Sequence, residues 1–270
     1  MSALARRRLA YGPGDERFGD LTLPAPAAAP VPVVVLVHGG YWRAPYRLEL
    51  MDELASDVAA RGWAAWNVEY RRIGAGGGWP QTAIDVAAAV DHVAILAREA
   101  PLDVARVALV GHSAGGHLAL LAAGRRGTAD DAPLPPPSIR PVGVVAQAAV
   151  SDLYEAARLG LSRGAAIELL GGSPDDVPDR YARASPADRL PLGVPLLVVH
   201  GDADPDVPVA LSRNLVARAD AAGEAIEAVE LAGVGHMEHI DPASPAWAAA
   251  AEWLAARLDP HPRTTAPETP

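Results

Sequence analysis

Residues 107–123, Val-Ala-Leu-Val-Gly-His-Ser-Ala-Gly-Gly-His-Leu-Ala-Leu-Leu-Ala-Ala, decide how the rest of the chain reads. The apolar run Val107–Val110 leads into Gly111-His112-Ser113-Ala114-Gly115, and Ala114–Ala123 then carries strong helix formers. Strand, tight turn and helix in this order set Ser113 on a sharp bend from which its hydroxyl projects alone. Small residues on either side let the chain pass closely enough for that bend to form. The helix N-terminus behind the serine favours developing negative charge. A glycine-rich connector would share the bare Gly-x-Ser-x-Gly pattern. The strand before it and the helix after it make Ser113 a candidate nucleophile.

Working outward, apolar runs and helix-spaced segments alternate. Val33–Val37, Trp63–Val68, Val104–Val110, Val142–Ala148, Val194–His200 and Ala225–Leu231 read as strands. The continuous β-branched run Val33–Val37 is that of a strand buried on both faces. Leu48–Ala60, Gln81–Arg98, Ala114–Ala123, Ala210–Ala222 and Ser244–Leu258 read as helices. The alternation implies an α/β fold with a mostly parallel sheet covered on both sides. Ahead of it, Arg6–Tyr11 and Glu16–Leu23 read as an antiparallel hairpin around Gly12-Pro13-Gly14, and Pro24–Pro32 as a connector. Residues 151–190 break the rhythm with short helical pieces, Gly171-Gly172 and several prolines, and read as a small cap inserted in one domain spanning 1–258. The Pro- and Thr-rich residues 259–270 read as a disordered tail.

Two further loops follow strands. His38-Gly39-Gly40-Tyr41-Trp42 comes directly after Val33–Val37, and its glycines allow backbone N–H groups to approach an oxyanion. Tyr41 still has an N–H to donate, and His38 reads as a brace for the loop. After His200 come Asp202, Asp204 and Asp206, three carboxylates crowded into one loop. One of them is expected to orient a catalytic imidazole, and the others to hold turns or sit near the next helix N-terminus. After Leu231, the stretch Gly233-Val234-Gly235-His236 offers a base, with His239 as its competitor. Ser, Asp, His is the chain order that a serine nucleophile on such a strand–turn–helix uses.

Composition narrows the classes further. The chain has 270 residues, half of them apolar, no Cys and a formal net charge of -10. Cysteine nucleophiles, disulfides and thiolate metal sites are excluded. The acidic balance argues against nucleic acid and anionic membranes as partners. No apolar run is long enough to span a bilayer, and no signal-type apolar core follows Arg6-Arg7-Arg8, so a cytoplasmic protein is expected.

On these residues, the chain resembles the α/β-hydrolase superfamily across about residues 31–258, and within it the esterase and arylformamidase branch. His38-Gly39-Gly40-Tyr41-Trp42 is similar to the His-Gly-Gly-x-Trp loop of kynurenine formamidases, and Gly111–Ala119 to their nucleophile segment. The resemblance implies Asp204 as the acid, His236 as the base, and the N–H groups of Gly40, Tyr41 and Ala114 as the oxyanion hole. It implies a serine hydrolase acting through an acyl-enzyme on a small ester or aryl formamide, with no metal and no cofactor. An acylaminoacyl-type peptidase and a non-catalytic small-molecule receptor are the rival readings. For the pocket, Tyr41 and Trp42 are expected to shorten the acyl side and His112 to line the site. Leu153, Tyr154, Leu159, Leu161 and Leu169 are expected to form an apolar lid. The competing reading buries Trp42 and these leucines in the core.

Overall fold

The computed structural model describes residues 5–25, 29–129 and 132–259. Among them, eight strands form one sheet in the order β1-β2-β4-β3-β5-β6-β7-β8. The strands are β1 (Ala5–Ala10), β2 (Phe18–Leu23), β3 (Val31–Val37), β4 (Ala64–Val68), β5 (Leu102–His112), β6 (Gly143–Gln147), β7 (Leu196–Gly201) and β8 (Ile226–Leu231). β3 to β8 run parallel, and the hairpin β1–β2 adds antiparallel to β4. The tail expected over 259–270 lies, beyond Asp259, outside the described residues. So does part of the connector, at 26–28.

The β-branched run of β3 shows why the sheet is buried on both faces. Val33, Val35 and Val37 point into one core, with Trp66, Val107, Leu109, Val144, Leu118 and Leu120. Val34 and Leu36 point into the other, with Met51, Leu54, Trp63, Val110, Val199, Trp247 and Leu254. Side chains alternate along a strand, so an unbroken apolar run feeds both layers. The second core lies under α1 (Asp52–Ala60) and α9 (Pro245–Leu258). The first lies under α2 (Gln81–Asp91), α4 (Ala114–Ala123) and α8 (Ala210–Ala221). Ser244 opens α9 as its N-cap, accepting from Trp247 N–H at 3.1 Å.

Two helices depart from expectation. The segment read as one helix over Gln81–Arg98 is broken after Asp91, and a short α3 (Val93–Leu96) follows. Ile95 and Leu96 N–H groups both bond to His92 O, which tightens the turn there. The segment Leu48–Ala60 opens as a 3-10 turn, Leu48–Met51, before α1.

Residues 151–190 fold as α5 (Leu153–Arg158), α6 (Leu161–Leu170) and α7 (Pro178–Ala184). Within α6, Ser162, Arg163 and Gly164 have left-handed backbone. Leu153, Leu169, Leu170 and Tyr181 extend the first core. No helix among the described residues is long and apolar enough to cross a membrane.

The chain leaves β3 for β4 on one side and later enters β5 on the other, so the sheet changes direction at β3/β5. Loops at the carboxyl ends of strands flanking such a point converge on one crevice. The loops after β3, β5, β7 and β8 carry Tyr41, Ser113, Asp206 and His236, and all four line one cleft.

Candidate active site

Ser113 occupies the bend between β5 and α4 with φ 56 and ψ -120. That backbone costs on the order of 1–3 kcal/mol for a residue with a Cβ. Three hydrogen bonds hold it there. Ser113 N–H donates to Gln147 O at 2.8 Å, and Ser113 O accepts from His117 N–H at 3.2 Å and Val150 N–H at 3.3 Å. The flanking glycines are needed for space. A Cβ on Gly111 would collide with Gly115 O, and one on Gly115 with Val37 O. The serine Oγ is buried and, among the described residues, has no hydrogen-bond partner.

His236 and Asp204 meet beside it. His236 Nδ1 lies 2.7 Å from Asp204 Oδ2. A carboxylate only accepts, so Nδ1 carries the proton and Nε2 is left with its lone pair. Asp204 Oδ1 accepts the N–H groups of Asp206 and Val207, both at 2.8 Å. Burial alone would raise the Asp204 pKa. Hydrogen bonds from His200, His236 and Val207 outweigh it and hold the carboxyl well below the usual range. Asp204 is therefore anionic at any working pH.

The other two carboxylates of the loop part company. Asp202 Oδ1 accepts Gly233 N–H at 2.7 Å and ties two loops together. The Asp206 carboxylate makes none of the turn hydrogen bonds expected of it. Among the described residues it takes no hydrogen bond and no ion pair, and it lines the cleft.

The loop after β3 reaches the site on unusual backbone. Gly40, Tyr41 and Trp42 have φ 104, 49 and 58. Two consecutive left-handed residues with side chains are costly, and burial of Trp42 holds them. Its ring is 1% exposed, and Nε1 donates to His117 Nδ1 at 3.2 Å. Tyr41 OH donates to Asp206 O at 2.7 Å, which ties this loop to the acid loop. Among the described residues no protein acceptor takes the N–H of Gly40, Tyr41 or Ala114. Gly40 and Tyr41 line the same cleft as Ser113, and Ala114 follows it in the chain.

His38 is fully buried and stacks on Tyr70 at 4.3 Å, with Nε2 3.0 Å from Glu69 Oε1 and Nδ1 2.8 Å from Gly39 O. Glu69 is a site residue that the sequence reading misses. The signal is there: a carboxylate at the carboxyl end of the apolar strand β4, with no reason to be buried except a partner.

The remaining histidines pack around these groups. His200 Nε2 lies 2.9 Å from Val207 O and 3.2 Å from Asp204 Oδ2, while Nδ1 meets Ser212 Oγ at 2.7 Å. The carbonyl fixes the proton on Nε2, so Ser212 Oγ–H donates to Nδ1. His112 lines the cleft, and its Nε2–H donates to His236 O at 3.0 Å. His117 Nε2–H donates to Ala184 O at 2.8 Å. His239, the competing base, is fully buried, and among the described residues neither ring nitrogen has a hydrogen-bond partner. Burial, with His200 and His236 nearby, pushes it down to about 3, so it is neutral.

The cleft differs from the expected pocket in its walls. It has a volume of about 100 Å³ and is lined by Gly40, Tyr41, Tyr46, Leu50, His112, Ser113, Asp206, His236 and Met237. Trp42 and Leu153, expected in the wall, are packed in the core instead. Tyr154 is 52% exposed, sets its ring against Tyr181, and is not among the lining residues. Tyr46, Leu50 and Met237 take their place. Tyr46 lies in a loop and Met237 in a 3-10 turn, where no periodicity marks a face, and Leu50 lies in the 3-10 turn that opens the segment read as one helix over Leu48–Ala60.

The BD-FAE family model matches residues 20–218. Esterase LipC of Mycobacterium tuberculosis is 30% identical over 247 residues, covering 86% of this chain and 59% of that protein. Esterase LipQ of the same organism is 30% identical over 239 residues, covering 84% and 55%. The chain thus spans little more than half the length of these curated relatives. A truncated carbohydrate esterase from gut microbiota matches with a TM-score of 0.81 at 21% identity, over 95% of this chain and 96% of that one. A bacterial heroin esterase matches with a TM-score of 0.76 at 26% identity, over 94% and 84%. The sheet and its crossing loops are those of the α/β-hydrolase fold, and the match over residues 20–218 makes this chain a member of the BD-FAE family.

Proposed function

We propose that this chain is a serine hydrolase of small carboxylic esters. One observation carries the reading. A buried serine Oγ on a strained turn, without a hydrogen-bond partner among the described residues, shares a cleft with an imidazole whose Nδ1–H is held by an ionised aspartate. Ser113 Oγ attacks the ester carbonyl and passes its proton to His236 Nε2. The N–H groups of Gly40, Tyr41 and Ala114 receive the oxyanion, each worth about 3–4 kcal/mol. The alcohol leaves with the proton from His236. Water, deprotonated by the same nitrogen, then releases the acid and regenerates Ser113. Matching relatives carry the name esterase, which supports esters ahead of formamides as first substrates.

The cleft's small volume and its wall of Tyr41, Tyr46, Leu50 and Met237 favour short acyl groups. Each methylene that does not fit costs about 1–3 kcal/mol in kcat/KM. Along p-nitrophenyl esters from C2 to C12, kcat/KM is expected to peak at C2–C4. A peak at C8 or longer would refute the small pocket. N-formylkynurenine belongs in the same series, since short esters that turn over beside an inert formamide decide for an esterase.

Tyr41 is expected to act mainly through its backbone. Its phenol is pushed up to about 12, chiefly by burial, so it stays neutral and donates to Asp206 O. Tyr41→Phe loses one neutral hydrogen bond, worth about 0.5–1.5 kcal/mol. Turnover of p-nitrophenyl acetate should therefore fall by about tenfold at most, at every pH from 6 to 9. A hundredfold loss would give the hydroxyl a part in the chemistry. Proline cannot test the N–H here, because φ 49 lies outside what its ring permits.

A further inference from the structure

Asp206 is held in place by its backbone while its carboxylate is left unused. Its N–H donates to Asp204 Oδ1 at 2.8 Å and its carbonyl accepts from Tyr41 OH at 2.7 Å. One carboxylate oxygen lies within 4.8 Å of a ring nitrogen of His236. The side chain is exposed at the mouth of the cleft and takes no hydrogen bond or ion pair among the described residues.

No arginine lines that cleft. The two nearest in sequence to its tyrosines are committed elsewhere. Arg43 pairs with Glu168 at 2.9 Å, and Arg47 reaches Glu69 at 3.5 Å and Glu16 at 3.7 Å. Glu238, beside Met237, adds a second negative charge while its Oε2 accepts Gly235 N–H at 2.7 Å. Around Asp206 the cleft presents the rings of Tyr41 and Tyr46 and the Met237 side chain, with Tyr46 47% and Met237 54% exposed.

A carboxylate without a paired cation, on an anchored backbone and in a cleft with two tyrosine rings, is the chemistry that receives an alkylammonium group. We propose that the cleft selects esters that carry a positive charge a few bonds from the scissile carbonyl, with Asp206 as the specificity-determining residue. This rests on the serine-esterase reading above and names its substrate class. The carboxylate attracts the cation in the bound ester and repels an anionic one. With Asp204 taken as the acid, turn or helix-end roles are what the sequence leaves for Asp206, and its backbone, not its side chain, makes the hydrogen bonds seen here.

The test compares two probes of one shape. Acetylcholine carries the charge, and 3,3-dimethylbutyl acetate replaces its quaternary nitrogen by carbon. The readout is the ratio of their kcat/KM values within each variant, so a general loss of activity cancels. The wild type is expected to prefer acetylcholine by about tenfold at low ionic strength, the scale of one ion pair near a protein surface. The preference should shrink towards unity in 0.5 M NaCl, where screening acts over a few Å. Asp206→Asn should bring the ratio near one, and Asp206→Lys should bring it below one. A wild-type ratio at or below one overturns the proposal. So does a ratio that Asp206→Asn leaves unchanged, whether or not the lysine variant folds. In either case, hydrolysis of the neutral ester leaves the esterase reading standing. If the wild type cleaves neither ester nor p-nitrophenyl acetate and takes no fluorophosphonate label, that reading falls and this proposal falls with it.

Discussion

Ser113→Ala is expected to lower esterase turnover by about 10⁶-fold, the scale seen when a serine hydrolase loses its nucleophile. It should also abolish fluorophosphonate labelling. The structure adds a second expectation, on stability. Among the described residues the buried Ser113 Oγ has no protein hydrogen-bond partner, so no protein contact offsets its desolvation. Deleting it should leave stability unchanged or raise it by about 1 kcal/mol, within the 1–3 kcal/mol typical of an unsatisfied buried group. For a domain of this size that is a rise of about 2–4 °C in Tm. The backbone strain at φ 56 stays, because alanine keeps the Cβ. Ser113→Gly should relieve it as well and melt higher still. Labelling that persists in Ser113→Ala would move the nucleophile elsewhere. A variant that unfolds would mean the hydroxyl carries structure after all.

The fold and the site are not equally legible in the sequence. The β-branched run of β3 announces a strand buried on both faces, and the structure splits it between two cores as alternation requires. The Gly-x-Ser-x-Gly turn is legible for a steric reason, since Gly111 and Gly115 each abut backbone that admits no Cβ. Trp42 is open to two readings, and its direction follows from φ 58, a backbone state that neighbouring residues do not announce. Leu153 reads as a lid residue because its segment breaks the strand–helix rhythm, yet α5 turns it into the core. Tyr46 and Leu50 come from the segment after β3 and Met237 from the one after β8, and they meet only in the folded chain. The choice among Asp202, Asp204 and Asp206 rests on a resemblance at the level of sequence, and the distances separate their roles. Glu69 escapes a sequence reading because its partner His38 lies 31 positions away.

Asp204→Asn is expected to reduce kcat/KM by about 10⁴-fold, because the surrounding donors dictate how the new amide must sit. In the wild type, Oδ1 faces two backbone donors, the N–H groups of Asp206 and Val207. An amide nitrogen there would set donor against donor, so the oxygen of the introduced amide has to take that place. The NH₂ group then falls where Oδ2 stood, 2.7 Å from His236 Nδ1. An NH₂ donor needs a lone pair opposite it, so Nδ1 must give up its proton and Nε2 must carry it. The base that should accept the Ser113 proton is blocked. His200 does not restore the arrangement. Its Nε2–H loses the acceptor at 3.2 Å but keeps Val207 O at 2.9 Å, so it stays oriented and the fold is retained. A 10⁴-fold loss corresponds to about 5.4 kcal/mol at 1.36 kcal/mol per decade. The tautomer can be read directly from the ¹⁵N shifts of the His236 ring, expected as Nδ1–H in the wild type and Nε2–H in Asp204→Asn. Asp202→Asn is the internal comparison. It keeps an oxygen acceptor for Gly233 N–H and leaves His236 untouched, so turnover should change by less than about tenfold. Equal losses at Asp202 and Asp204, or an unchanged tautomer alongside a 10⁴-fold loss, would defeat this account of how the imidazole is held.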